Sequence, residues 1–210
     1  MNIRGVILEG YSNAGKTSLL KAIKQYQAQD ESAELSVIIL GEHYSQILNK
    51  VQGEMKRLTR EQHIELLSDR VDMLKKLNEW SIYLGPWKRK SRGIFYILER
   101  FHLNHRVAFP DSNDIEITRI ENLLLELGAE CILLTISDNL IEERIKSRNP
   151  NEWINKSKED IELACKDLSR TQNELRIHAA KSFIPTTEIN TDNKDWKEYA
   201  RLIMEDNDFA

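Results

Sequence analysis

The chain has 210 residues, enough for one α/β domain with a full core, and a formal charge of −4. Acidic and basic residues are well mixed, which gives no electrostatic ground for a duplex nucleic-acid or anionic-membrane surface. Cys131 and Cys165 lie far apart without a C-x-x-C, and the five histidines are scattered, so neither a disulfide framework nor a zinc site is expected.

An apolar run over residues 3–8 predicts a first strand, and it leads into Gly10-Tyr11-Ser12-Asn13-Ala14-Gly15-Lys16-Thr17. That string is a complete G-x-x-x-x-G-K-[ST], and a helical pattern over residues 16–29 follows it. Between a strand and a helix, such a loop curls its backbone N–H groups around phosphates, helped by the positive end of the helix. The expected binding residues are Gly10, Asn13, Ala14, Gly15, Lys16, Thr17 and Ser18. Lys16 would reach the β- and γ-phosphates, and the Thr17 hydroxyl would hold Mg²⁺. The chain is therefore expected to bind a nucleoside triphosphate.

A second strand is predicted over 36–40, with Glu42 just beyond it. Within 61–84, Ile64, Leu67, Val71, Leu74 and Leu77 recur at spacings of three and four, one apolar stripe on a long helix that could also offer a dimer face. The basic run Lys88-Arg89-Lys90-Ser91-Arg92 precedes the third strand, at 93–98, and reads as a solvated turn at the opposite edge of the sheet. The third strand runs into Glu99-Arg100. A carboxylate at that edge can hold Mg²⁺ through its water shell, and the adjacent guanidinium can grip a phosphate or position an acceptor hydroxyl; a surface ion pair is the alternative.

Further on, helix patterns over 114–127, 139–147, 157–180 and 194–204 alternate with strand patterns at 131–136 and 186–190. This alternation predicts a parallel sheet covered on both faces, in one compact domain spanning the chain. Ligands of such sheets bind outside the carboxyl ends of the strands, so Glu42, Glu99, Arg100 and Asp138 share the rim with the loop. Arg144 and Arg148, at i and i+4, can converge on one anion from one helix face. Trp80, Tyr83, Trp87 and Phe95 read as core aromatics or, alternatively, as a stacking wall for a base. The absence of a membrane-length apolar stretch and of a secretory signal suggests a cytoplasmic protein.

The segment Glu99-Arg100-Phe101-His102-Leu103-Asn104-His105-Arg106-Val107-Ala108-Phe109 resembles the E-R-S-x-x-S-D-R-x-x-F segment of deoxynucleoside kinases and, more loosely, the D-R-[YF] segment of thymidylate kinases. Leu8-Glu9-Gly10 is similar to the start of the loop in both families. The resemblance implies a three-layer α/β P-loop kinase fold with a five-stranded parallel sheet and a small lid at about residues 144–157. It implies ATP and Mg²⁺ as cofactors and a small-molecule phosphoryl acceptor, with no nucleic-acid or membrane partner. By the same resemblance, Lys16, Glu42, Glu99, Arg100, Arg144 and Arg148 would be catalytic, with Glu99 and Thr17 toward the metal and Glu42, Arg100 and Arg106 toward the acceptor. Glu42 matches the position of a general base but is equally readable as an exposed loop acid. Phe101 stands where the pattern has Ser, and His105 where it has an Asp that helps read the base.

A GTPase switch would need an Asp three residues before a Gly at its metal-binding strand, and no Gly in the chain has one. The resemblance instead implies an ATP-dependent kinase of a small acceptor, a nucleoside or nucleoside monophosphate. The alternatives are a kinase of another hydroxylated molecule such as an antibiotic, or a non-catalytic nucleotide sensor on the same fold. A neutral hydroxyl acceptor is favoured, because Glu42 and Glu99 would repel an anion.

Overall fold

The computed structural model describes residues 2–30, 33–34, 36–51, 54–83, 93–110, 114–148 and 150–206. In chain order the elements are β1 (Ile3–Glu9), α1 (Lys16–Gln29), β2 (Ser36–Leu40), β3 (Leu48–Val51), β4 (Glu54–Arg57), α2 (Arg60–Tyr83) and β5 (Ile94–Glu99). There follow α3 (His102–Ala108), α4 (Ile115–Glu126), β6 (Ala129–Thr135), α5 (Ile141–Arg148), α6 (Pro150–Trp153), α7 (Lys158–Ala179), β7 (Thr186–Asn190) and α8 (Trp196–Asp206). Five strands form one sheet in the order β2-β5-β1-β6-β7, with every neighbouring pair parallel. β3 and β4 form a separate antiparallel hairpin.

The sheet is covered on both faces, and the strand period divides the core in two. Ile3, Ile7, Tyr96, Leu98, Cys131 and Leu133 face a layer built from α2, α3 and α4. Val6, Leu8, Phe95, Ile97, Ile132 and Leu134 face the other, built from α1, α5 and α8. Helix α7 spans the two, giving Leu168 to the second core and Leu175 to the first. A Ser157–Asp160 capping box starts it, satisfying two of the first-turn N–H groups. The central strands are buried on both faces, whereas edge strands β2 and β7 are largely exposed or half-buried.

The five expected strands and the main helices all form, with ends shifted by two residues or fewer; the pattern over 139–147 resolves into a 3₁₀ turn, Asp138–Leu140, followed by α5. The hairpin, α3 and α6 are additions. Of the three of these aromatics that are described, Phe95 is core, whereas Trp80 and Tyr83 stack on each other in the open at the end of α2. Neither is among the residues that line the cleft beside the loop. Trp87 and the basic run lie outside the described residues. Among the described residues no helix is long and apolar enough to cross a membrane.

Parallel strands bring five carboxyl ends to one rim, and β1, between β5 and β6, marks the point where the strand order reverses. Packing there is tight. A Cβ on Gly5 in β1 would lie 2.4 Å from the ring of Tyr96, which is fully buried and donates its hydroxyl to the Leu127 carbonyl at 3.3 Å. Gly5→Ala is therefore expected to destabilise the fold by about 1–3 kcal/mol through overpacking. Urea unfolding measures this, and an unchanged midpoint would show that the Tyr96 ring has room to move.

Candidate functional site

The loop between β1 and α1 takes a left-handed backbone at Gly10 (φ 135°), Asn13 (φ 77°) and Gly15 (φ 97°). Glycine is required at the first and last on steric grounds as well. A Cβ on Gly10 would meet the Leu134 carbonyl at 2.7 Å, and one on Gly15 would meet the Trp196 ring at 2.1 Å. No side chain caps the amino end of α1 at Gly15 and no acid sits in its first turn. The positive end of the helix and its unpaired N–H groups are thus left for an anion, which is what a phosphate cradle needs.

Lys16 is almost buried, and its ammonium donates to the carbonyls of Gly10 at 2.8 Å and Tyr11 at 3.1 Å. Burial, with the charge of Arg100, lowers its pKa to about 7 against the pull of Glu42, Glu9 and Glu99. Thr17 and Ser18 stand exposed at the start of α1. Together with Asn13, Gly15 and Lys16 they line a cleft of about 450 Å³, whose other walls are Glu42, Arg100, Arg144, Ser147, Arg148, Lys194 and Trp196.

Arg100 leaves the end of β5 with φ 53°, an uncommon conformation for a residue with a Cβ. Its N–H donates to the Leu8 carbonyl at 3.0 Å, and its Nη2 donates to Ser12 Oγ at 2.8 Å. Its Nε lies 3.2 Å from Glu42 Oε2, an ion pair without hydrogen-bond alignment. Glu42 opens a 3₁₀ turn, Glu42–Tyr44, immediately after β2, and its backbone N–H donates to Glu99 Oε2 at 3.2 Å. Glu99, the last residue of β5, is buried behind Glu42 and is not part of the cleft wall. Beneath this corner sits Glu9, which accepts from the N–H groups of Phe101 (2.8 Å) and Leu103 (3.0 Å). Burial pushes the Glu9 carboxyl up to about 7, against those hydrogen bonds.

Across the cleft, Arg144 and Arg148 both face the loop but hold different partners. The Arg144 guanidinium is buried and donates to the carbonyls of Thr191 and Asp192. Arg148 reaches across to Asn13 Oδ1 at 3.0 Å. Ile141 and Ile145 fix their helix, α5, in the second core, so the segment expected to act as a lid begins on an anchored helix.

Arg106 is not brought into this network. Its guanidinium is buried in a bidentate pair with Glu121 at 2.8 and 3.0 Å, with Asp114 at 3.1 Å, and it does not line the cleft. Its place one turn along α3 from His102 turns it under α4 and away from Arg100. The scattered histidines include two that meet in space: His63 and His105 stack with centroids 5.1 Å apart. Among the described residues, no group of three or more His, Cys, Asp or Glu side chains is placed to hold a metal.

Sequence reasoning passed over Trp196 and Ser12. Trp196 opens α8 with its indole against Gly15, and Thr191 ties the same segment down, its one hydroxyl hydrogen shared between the carbonyls of Ala14 and Thr135, each 3.0 Å from Oγ1. A signal existed for Trp196, which falls shortly after the last strand, on the ligand rim. The arrangement as a whole can bind a polyanion at an uncapped helix end, surround it with Lys16, Arg100, Arg144 and Arg148, and present the Glu42 carboxylate beside it.

The fold is similar to that of the YorR protein of Bacillus subtilis, solved in complex with phosphorylated GDP. The TM-score is 0.57 at 16% identity, over 96% of this chain and 94% of that one. A "putative kinase" from Chloroflexus aurantiacus j-10-fl gives a TM-score of 0.47 at 14% identity, over 98% and 96%. No protein-family model and no curated protein matches the sequence.

The different settings of Arg100 and Arg106 predict different costs of removal. Arg106→Met leaves Glu121 buried and uncompensated, and is expected to cost about 3–5 kcal/mol. Arg100→Met, at the half-open cleft, is expected to cost about 1 kcal/mol or less. Urea titration of both variants checks this, and equal costs would contradict the division between the two arginines.

Proposed function

We propose that this protein is an ATP-dependent phosphotransferase of the P-loop small-molecule kinase type, acting on a hydroxyl of a nucleoside-like acceptor. One observation carries the reading: Glu42 and Arg100 pair at 3.2 Å on the wall of the cleft that also holds Lys16 and the uncapped amino end of α1. A bare anion cradle would need no carboxylate there. A group that takes a proton from an attacking hydroxyl does need one, within reach of the phosphate site.

The cleft residues divide the work as follows. The loop N–H groups and Lys16 hold the triphosphate, and Trp196 and Lys194 border the side where its base would lie. Mg²⁺, bound with ATP, would neutralise phosphate charge, and the Thr17 hydroxyl on the cleft wall would hold it. Arg100 orients the acceptor hydroxyl and Glu42 accepts its proton. Arg144 and Arg148 meet the charge that spreads over the moving phosphoryl group.

A second reading is that the acceptor is itself a nucleotide, and the complex of YorR with phosphorylated GDP favours it. Against it, Arg100 is already matched by Glu42 and Arg106 by Glu121, so neither arginine is spare for an acceptor phosphate. The two readings separate by substrate. Thymidine, deoxycytidine and deoxyadenosine are compared with their 5′-monophosphates, with wild type and Glu42→Gln, by ATP consumption. Turnover of nucleosides, lowered by about a hundred-fold in Glu42→Gln, is expected. Turnover of monophosphates alone, undiminished by Glu42→Gln, would establish the second reading instead.

A further inference from the structure

His63 on α2 and His105 on α3 are both fully buried, and their Nδ1 atoms lie 2.8 Å apart. His63 Nε2 lies 2.7 Å from the Ser45 carbonyl, and Phe109 packs against both rings. These contacts leave one arrangement of protons. A carbonyl only accepts, so His63 Nε2 must carry hydrogen. A neutral imidazole has one N–H, so His63 Nδ1 is an acceptor. The nitrogen facing it must then donate, which assigns the hydrogen of His105 to Nδ1. The reverse order would press two lone pairs together.

A charged pair is disfavoured. Burial lowers the pKa of His63, and burial with the nearby His63, Arg60 and Arg106 brings that of His105 down to about 3. The assignment also accounts for His105 Nε2, which is buried with no partner: it is left as a bare acceptor rather than a stranded N–H.

The chain of bonds ends at the proposed base. Ser45 Oγ donates to the Glu99 carbonyl, while its N–H and that of Gln46 donate to the Glu42 carbonyl at 3.1 and 2.8 Å. The turn bearing Glu42 is thus clamped at Ser45, from β5 on one side and from α2 on the other. We propose that His63 and His105 form a positioning relay of fixed proton order. In it His105 Nδ1–H donates to His63 Nδ1, and His63 Nε2–H donates to Ser45, holding the Glu42 carboxylate opposite Arg100. The relay is a statement about structure; its effect on rate rests on the phosphotransferase reading above.

Two measurements test it. Long-range ¹H–¹⁵N NMR on the wild-type protein, with ring signals assigned from His63→Gln and His105→Gln, reports which nitrogen carries hydrogen. The expected result is His105 in the Nδ1–H form and His63 in the Nε2–H form, unchanged from about pH 5.5 to 8. An Nε2–H form for His105, or titration of either ring in that range, would overturn the relay whether or not the protein is a kinase. The second measurement compares His63→Met with His63→Gln, which keeps an N–H at the reach of Nε2. His63→Met is expected to lower kcat about ten-fold to a hundred-fold with ATP affinity unchanged, and His63→Gln to recover most of the rate. Wild-type rates in His63→Met, or a His63→Gln as slow as His63→Met at equal thermal stability, would overturn the positioning role. Absence of turnover by wild type with every acceptor would instead count against the kinase reading, leaving the NMR result to judge the relay.

Discussion

Arg100 turns out of β5 in the left-handed region, where an L-residue with a side chain gives up about 1–2 kcal/mol. That conformation persists because the surrounding groups fix it from several sides. The Leu8 carbonyl takes its N–H, Glu9 takes those of Phe101 and Leu103 along the turn, and the Glu99 carbonyl before it is held by Ser45. An extended Arg100 would continue along β5 and leave the rim. With φ reversed, its guanidinium comes back over the loop, between Ser12 and Glu42. The strain at this corner is what lets residues distant in sequence face one another across a single cleft.

The same corner organises the charges. Glu9 and Lys16 are both almost removed from solvent, and burial drives their pKa values toward each other, to about 7 in both cases. Each is kept from the full cost of burial by backbone partners: N–H groups for Glu9, carbonyls for Lys16. Two further carboxylates, Glu42 and Glu99, offset the crowd of cations at the cleft, so Lys16 and Arg100 do not simply repel each other there. A polyanion entering the cleft would meet Lys16 ready to exchange two carbonyls for phosphate oxygens. Arg106 and Glu121, by contrast, are paired with each other in the interior.

Legibility in the sequence followed the physics of each element. The sheet could be read because its strands are buried, so Val6-Ile7-Leu8 and Phe95-Tyr96-Ile97-Leu98 had to be apolar without a break. The loop could be read because φ reversal and close approach demand glycine at fixed spacing. The β3–β4 hairpin could not, since β4 is exposed along its whole length and selection for burial leaves no period in it. α3 is too short to show one. The setting of Arg106 was hidden for a related reason: six residues beyond the Glu-Arg corner, it gave no sign that α4 would supply Glu121 from 15 residues away. The His63–His105 contact spans 42 residues and two helices, and nothing local announces it.

The central claim is that this cleft moves a phosphoryl group rather than only holding one. It is tested most directly by following the γ-phosphoryl of labelled ATP, with Mg²⁺, across a panel of nucleosides, monophosphates and small hydroxylated molecules, in wild type and Lys16→Ala. The account predicts label on one class of acceptor, identified by mass, and its loss by about a hundred-fold or more in a folded Lys16→Ala. ATP binding with no label transferred to any acceptor, or label transfer undiminished in Lys16→Ala, would contradict it.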